Sequence, residues 1–430
     1  MRIAFTTLGC KVNQYETETL SEMFSKDGFE VVDPQDFADV YVVNSCTVTA
    51  SGDKKTRQLL RRLKKQNPAA VAALTGCFPQ AFPDAAVKIL EADVVTGSSN
   101  RAALLSAVKE ALATGKRVVE ILPHQRGEKF EHMAVTGLRG RTRAFVKIED
   151  GCERFCSYCI IPKARGPVRS KPLEEIRAEL EGLARNGYRE AVLVGINLSS
   201  YGKDLGLRLI DAVQAACRVD GIERIRLGSL EPELLTAEDI RSMAAERKFC
   251  PQFHLSLQSG CDRTLRDMNR HYDAAEYTRI VSDIRAVFEN PSVTTDVMVG
   301  FAGETETDFA ESLAFVRKTG FAKAHVFSYS RRPGTAADKR PGQVPSAVKE
   351  SRSRRMIEAA DASRKEFLLS QLGRVEEVLI ETTRSPLGYE GFTKNYTPVY
   401  VDCDPAFCGQ IVKVRLEAVL EGHCVGAFQR

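Results

Sequence analysis

Over about the first 120 positions, short solid runs of apolar residues alternate with stretches in which apolar positions recur every three or four residues. "RIAFTTLG" (2–9) is the first run, and Tyr15, Leu20, Met23 and Phe24 mark the helix after it. "FEVV" and "ADVYVVNS" (38–45) read as strands, followed by a helix over 52–65 that sets Leu59, Leu60 and Leu63 on one face beside many lysines and arginines. "AVAALTG" (70–76) and "ADVVTGS" (92–98) are two further strands. Strands alternating with helices of this length predict a doubly wound parallel sheet, placed as a domain over 1–125.

The alternation restarts at "FVKI" (145–148). The helix after it carries the apolar stripe Leu173, Ile176, Leu180 and Leu183, with Pro172 at its start and Gly187 as its stop. Strands follow at 190–196, 224–229, 252–258, 293–300 and 323–330, with helical stretches between them. Six such units predict a (β/α)6 partial barrel over 138–368, with its chemistry at the C-terminal ends of the strands. After a helix rich in Arg and Lys (347–372), the period shortens to two. About five short strands then predict a small closed β-barrel over 372–430, an architecture often used to bind RNA. The fold class is therefore α/β, with a small β-barrel at the end.

Composition adjusts this picture only slightly. The 430 residues are 43% hydrophobic and 27% charged, ordinary for a globular chain. No run of eighteen apolar residues predicts a membrane span, and "MRIAFTTLGCKVNQYE" turns polar too early for a secretory signal. The expected location is the cytoplasm. A net charge of +4 does not by itself call for a polyanionic partner, but basic residues are grouped. Arg139, Arg141, Arg143 and Lys147 lie in "LRGRTRAFVK", with further groups in "SRSRR" (351–355) and "YSRRPGT" (329–335).

Twelve cysteines change it more. In a reducing compartment, clustered cysteines point to metal or catalysis rather than disulfides. Cys217, Cys250, Cys261, Cys403, Cys408 and Cys424 show no matched spacing and read as structural. Cys10, Cys46 and Cys77 each follow a predicted strand of the first sheet. Strand C-termini of a parallel sheet share one edge, so topology predicts that these three converge on a metal site. Cys152, Cys156 and Cys159 form C-x3-C-x2-C in "GCERFCSYC". Zinc is the main competitor for such a motif, but zinc usually takes two cysteine pairs and no second pair follows. Three thiolates fit a four-iron cluster with one iron open. S-adenosylmethionine (SAM) suits the open corner because its amino and carboxylate groups can chelate iron.

That motif, with Tyr158 just before its last cysteine, resembles the radical SAM superfamily. "LGCKVNQYETE", "VVNSCTVT", "TGCFPQ", "CSYCIIPKARGPVRS", "LQSGCDRTLRDMNR" and "VMVGFAGETETDF" together resemble the methylthiotransferase family along nearly the whole chain. "LGCKVNQYE" and "ARGPVRS" are most similar to the branch that methylthiolates N6-threonylcarbamoyladenosine at position 37 of tRNA. Phe78-Pro79, Lys163 and Ala302 depart from the family pattern without removing a ligand.

The resemblance implies that Cys152, Cys156 and Cys159 hold the [4Fe-4S] cluster that reduces SAM, and that Cys10, Cys46 and Cys77 hold an auxiliary [4Fe-4S] cluster as the sulfur-carrying site. Beside Tyr158, the strand-end residues Gly195, Asn197, Ser229, Glu231 and Gln258 are expected to cradle SAM. Arg165 is expected to contact a phosphate or the SAM carboxylate. The C-terminal module resembles the TRAM domain, with Phe392, Lys394 and Tyr396 as expected RNA contacts. Implied partners are the tRNA anticodon loop, an electron donor such as flavodoxin or ferredoxin, and a sulfur source, with no membrane. Two alternatives stay open: the same chemistry on isopentenyladenosine tRNA or a ribosomal-protein side chain, and a non-catalytic zinc-stabilised RNA-binding protein.

Overall fold

The computed structural model describes residues 1–137 and 140–429, so Arg139 of the basic segment lies outside the described residues. The chain divides into two compact units. The first comprises Met1–Val135, Glu149–Lys171 and Ser330–Asp338; the second comprises Thr136–Ile148, Pro172–Tyr329 and Lys339–Arg430.

In the first unit, β1 (Arg2–Thr7), β2 (Glu30–Val32), β3 (Val40–Ser45), β4 (Val71–Gly76), β5 (Val94–Thr96) and β6 (Val118–Glu120) form one sheet in the order β2-β1-β3-β4-β5-β6. Every pairing is parallel. Helices cover both faces, as solidly apolar strands require. One face packs Tyr41, Val43 and Leu74 against Leu60 and Leu63 of α2 (Ala50–Gln66). The other packs Ile3, Val40 and Val42 against Leu20 and Phe24 of α1 (Lys11–Lys26) and Leu104 and Val108 of α4 (Ala103–Thr114). Between α2 and α4 in the chain, α3 (Cys77–Ala81) follows β4 directly. The sixth strand escapes the sequence pattern because it is three residues long and largely exposed at the sheet edge. Chain order reverses at β1, which has β2 on one side and β3 on the other; such a switch point opens a crevice at the strand C-termini.

The second unit holds six parallel strand positions. β7 (Arg143–Lys147), β8 (Glu190–Val194) and β9 (Arg224–Leu227) form one sheet. β10 (Ser229–Leu230), β11 (Gln252–Leu255), β12 (Ser292–Val299) and β13 (Lys323–Ser328) form another, the break falling at Gly228 between β9 and β10. After a long helix (Ser346–Ser370), β14 (Val375–Ser385), β15 (Gly388–Thr393), β16 (Pro398–Val401), β17 (Ile411–Leu420) and β18 (His423–Phe428) close into a barrel. Val378, Ile380, Val399, Val414 and Leu416 fill its interior.

The side chains expected to contact RNA, Phe392, Lys394 and Tyr396, have partners on the chain itself. The rings of Phe392 and Tyr396 stack at 4.6 Å, with Arg143 4.5 Å over the first and Arg226 4.7 Å over the second. Arg224 donates to Phe392 O and Arg226 to Lys394 O, both at 3.1 Å, while Lys394 Nζ donates to Arg247 O. These side chains join the small barrel to the first residues of β7 and β9. An alternating strand pattern cannot distinguish a ring that packs on its own chain from one that awaits a base.

Candidate metal centre and cofactor-binding site

Cys10 is the N-cap of α1, Cys46 follows β3 and Cys77 opens α3, so two of the three flank the switch-point crevice. The structure brings all three together around Asn13. The thiols of Cys10 and Cys77 face the same Asn13 Oδ1 at 3.6 and 4.0 Å. Asn13 is held by donating Nδ2 to Leu8 O at 2.9 Å and Ser45 O at 3.1 Å. Gly9, at φ +123°, lets the chain pass beside Cys46: a Cβ there would stand 3.0 Å from Cys46 Cβ and 2.9 Å from Asn13 Nδ2. Accessibility falls from exposed Cys10 through half-buried Cys46 to buried Cys77, so the group opens outward at one end.

Burial pushes the Cys77 thiol up to about 12 and raises Cys46 too, with neighbouring thiols adding to both and Arg165 opposing. Without metal these thiols are neutral, and a cluster bound here displaces their protons. The three-thiol donor set, the cradle at Gly9 and a nearby cation fit an iron–sulfur cluster.

That cation is Arg165, the residue expected to contact a phosphate or the SAM carboxylate. It is fully buried. Nε donates to Cys77 Sγ at 3.1 Å and Nη2 to Asn13 Oδ1 at 2.6 Å. Nη1 and Nη2 grip both oxygens of Glu16 at 2.5 and 3.1 Å, and Nη1 also reaches Asp150 at 3.4 Å. Arg101 completes the buried network through Glu16 at 2.7 Å, Glu131 at 2.8 Å and Asp150 at 3.2 Å. Sequence reasoning missed Asn13, Glu16, Arg101 and Asp150. The only available signal was Asn13 and Glu16 spaced three apart on α1, one turn past Cys10.

The C-x3-C-x2-C loop lies in the same unit. Cys152 N donates to Gly166 O at 3.0 Å, Cys159 N to Cys156 O at 3.0 Å, and Ala337 N to Ser157 O at 2.7 Å. Gly151, at φ +94°, cannot carry a side chain, since a Cβ would fall 1.9 Å from Pro167 O. Phe155 takes φ +51° and is 65% exposed, while Cys152, Cys156, Tyr158 and Cys159 are half-buried. The next helix, α5 (Ile161–Arg165), sets Ala164 with Ile160 against Cys77 and Ala81 of α3. A cavity of about 590 Å³ is lined by Cys152, Phe155, Lys163, Gln80, His124 and Arg126, among others.

In the second unit, the remaining expected SAM residues stand at strand C-termini. Gly195 and Asn197 follow β8, and Asn197 donates Nδ2 to Ser200 Oγ at 2.8 Å. Ser229, in β10, is exposed; Glu231, just beyond, pairs with Arg270 and donates its backbone N–H to Ser199 Oγ at 2.8 Å. Gln258 follows β11 at φ +64°, and its buried Oε1 has no partner among the described residues. A left-handed non-glycine residue with an unmet acceptor is the kind of strain held at ligand sites.

Residues 2–97 match the model of an uncharacterized protein family, UPF0004, and residues 146–316 match the radical SAM superfamily. The chain is 37% identical to a threonylcarbamoyladenosine tRNA methylthiotransferase, MtaB, of Aquifex aeolicus, over 93% of this chain and 96% of that protein. It is 36% identical to MtaB of Bacillus subtilis over 100% of this chain and 96% of that one. A tRNA-2-methylthio-N(6)-dimethylallyladenosine synthase of Pelotomaculum thermopropionicum is 34% identical over 97% and 95%. Among solved structures, the radical SAM methyltransferase TsrM of Kitasatospora setae superposes with a TM-score of 0.57 at 14% identity, over 78% of this chain and 74% of that one, a likeness of fold alone. No helix among the described residues is long and apolar enough to cross a membrane. Radical SAM membership brings SAM and a [4Fe-4S] cluster with it. With full-length relatives at this identity and both cysteine sets in place, the chain belongs to the radical SAM tRNA methylthiotransferase family.

Proposed function

We propose that this protein methylthiolates tRNA, converting N6-threonylcarbamoyladenosine at position 37 to its 2-methylthio derivative. The observation that carries the reading is the gathering of Cys10, Cys46 and Cys77 around Asn13 and Arg165, in the same compact unit as the C-x3-C-x2-C loop. Two cysteine triads supply three ligands each to two four-iron clusters. The clusters and SAM together supply one-electron cleavage, hydrogen abstraction from an unactivated aromatic carbon, and sulfur. The chain's own work is to hold and orient. Asn13 and Arg165 fix Cys77, Gly9 keeps Cys46 close, and Gly195, Asn197 and Gln258 offer backbone and amide groups to SAM. A one-electron donor such as flavodoxin or ferredoxin, an external sulfur source and a cytoplasmic location complete the reading.

Deleting the gene should abolish 2-methylthio-N6-threonylcarbamoyladenosine in digested tRNA while its unmethylthiolated precursor accumulates, as read by nucleoside mass spectrometry. An unchanged methylthio-nucleoside pool would refute the RNA reading. Loss of the methylthio-isopentenyl nucleoside instead would move the enzyme to the neighbouring branch.

A further inference from the structure

Helix α2 carries charge that neither the fold nor the metal centre uses. Over 17 residues it holds Lys54, Lys55, Arg57, Arg61, Arg62, Lys64 and Lys65 against a single acid, Asp53, which is buried. Asp53 is turned inward, accepting from Thr47 Oγ1 at 2.9 Å and pairing with Arg332 at 2.8 Å. Three of the cations have local partners: Arg61 pairs with Glu91 at 3.0 Å, Lys64 with Asp93 at 2.7 Å, and Arg57 lies 5.3 Å over the Phe78 ring. Lys54, Lys55, Arg62 and Lys65 are exposed, and none has a carboxylate partner among the described residues.

The spacing makes this more than a solvated face. At 100° per residue, Lys54, Arg61, Lys65, Arg62 and Lys55 fall within about a third of the helix circumference, along about 16 Å of axis. Like charges stand three or four apart at Lys54/Arg57, Arg57/Arg61, Arg61/Lys64, Arg61/Lys65 and Arg62/Lys65, spacings at which like charges repel along a helix. A helix selected only for solubility would mix signs along this face. The stripe also leads toward the metal centre: Cys46 lies four residues before the first helical residue, and a Cβ at Gly52 would meet Cys46 O at 3.4 Å.

We propose that the exposed cationic face of α2 is an RNA-docking surface that holds the phosphate backbone of the tRNA substrate, with Lys54, Lys55, Arg62 and Lys65 as the phosphate-binding side chains. It rests on the tRNA reading above and assigns a place on the chain to the binding. A polyanion relieves the repulsion along the helix and releases its own counterions, so these four cations set affinity and salt dependence rather than sequence choice.

The test uses the full-length, cluster-reconstituted enzyme and unmodified substrate tRNA, with fluorescence anisotropy read across a salt series. In the variant K54Q/K55Q/R62Q/K65Q, Kd should rise at least about tenfold at moderate salt, and the slope of log K against log salt should fall by about 0.7 or more for each cation removed. SAM cleavage without tRNA, iron content and thermal stability should not drop, because the change removes like-charge repulsion. The control R317Q/K318Q, on an exposed helix end elsewhere, should bind as the wild type does. A wild type that binds tRNA, with Kd and slope unchanged in the quadruple variant, overturns the docking surface alone. An equal loss in both variants also overturns it, since the effect would then be one of net charge. A wild type that binds no tRNA overturns the function and this surface with it.

Discussion

Replacing Arg165 with methionine should destabilise the first unit by about 3–5 kcal/mol, the scale for breaking a buried ion pair by deleting one partner. The guanidinium is fully buried and donates two hydrogen bonds to Glu16, two longer ones to Asp150, and one each to Asn13 and Cys77. Methionine fills much of the volume but takes one cation away from Glu16 and Asp150, which keep their pairs with Arg101 and, for Asp150, Arg169. Arg165→Lys keeps the charge but not the fork, since an ammonium cannot grip both oxygens of Glu16 while reaching Asn13 and Cys77. It should fall between methionine and wild type. Hydrogen exchange of β1, β3 and β4 in the metal-free protein gives the local free energy directly, without assuming that two units unfold together. A loss below about 1 kcal/mol for methionine would mean that the network contributes little beyond packing.

What the sequence could and could not reveal divides along physical lines. Cys10, Cys46 and Cys77 were legible because a parallel sheet fixes where its strand ends lie, so chain order alone places the three together. The C-x3-C-x2-C loop was legible because local spacing is what its chemistry requires. The network of Arg165 was not legible because its partners, Glu16 and Asn13, stand 149 and 152 positions away. Nothing in the "KARGP" segment announces that its arginine turns inward to a cysteine of the first sheet. For the same reason, the segment Glu149–Lys171 groups with that sheet although the strand before it pairs in the second unit. The stacking of Phe392 and Tyr396 under Arg143 and Arg226 was not legible, because the same aromatic and basic pattern describes rings that await a base. The basic face of α2 was visible as composition, but its free cations became apparent only once Glu91, Asp93 and Arg332 had claimed their partners.

Changing Cys10, Cys46 and Cys77 together to alanine should abolish methylthiolation while leaving SAM cleavage intact. Anaerobically reconstituted wild type should hold about eight iron atoms, and this variant about four. The reason is the separation of donor sets: the two triads share no residue, and the motif loop is fixed by its own backbone bonds, from Cys152 N to Gly166 O and from Ala337 N to Ser157 O. Alanine at Cys77 removes one buried sulfur from a wall formed with Ala81, Ile160 and Ala164, a small cavity that the unit tolerates. Changing Cys152, Cys156 and Cys159 instead should also leave about four irons but abolish SAM cleavage, so the two variants separate the roles by a double dissociation. Retention of eight irons in the first variant would show that Cys10, Cys46 and Cys77 hold no cluster. Loss of SAM cleavage there, with four irons still bound, would show that the triads do not work independently, and the assignment of sulfur supply to one and radical generation to the other would fail.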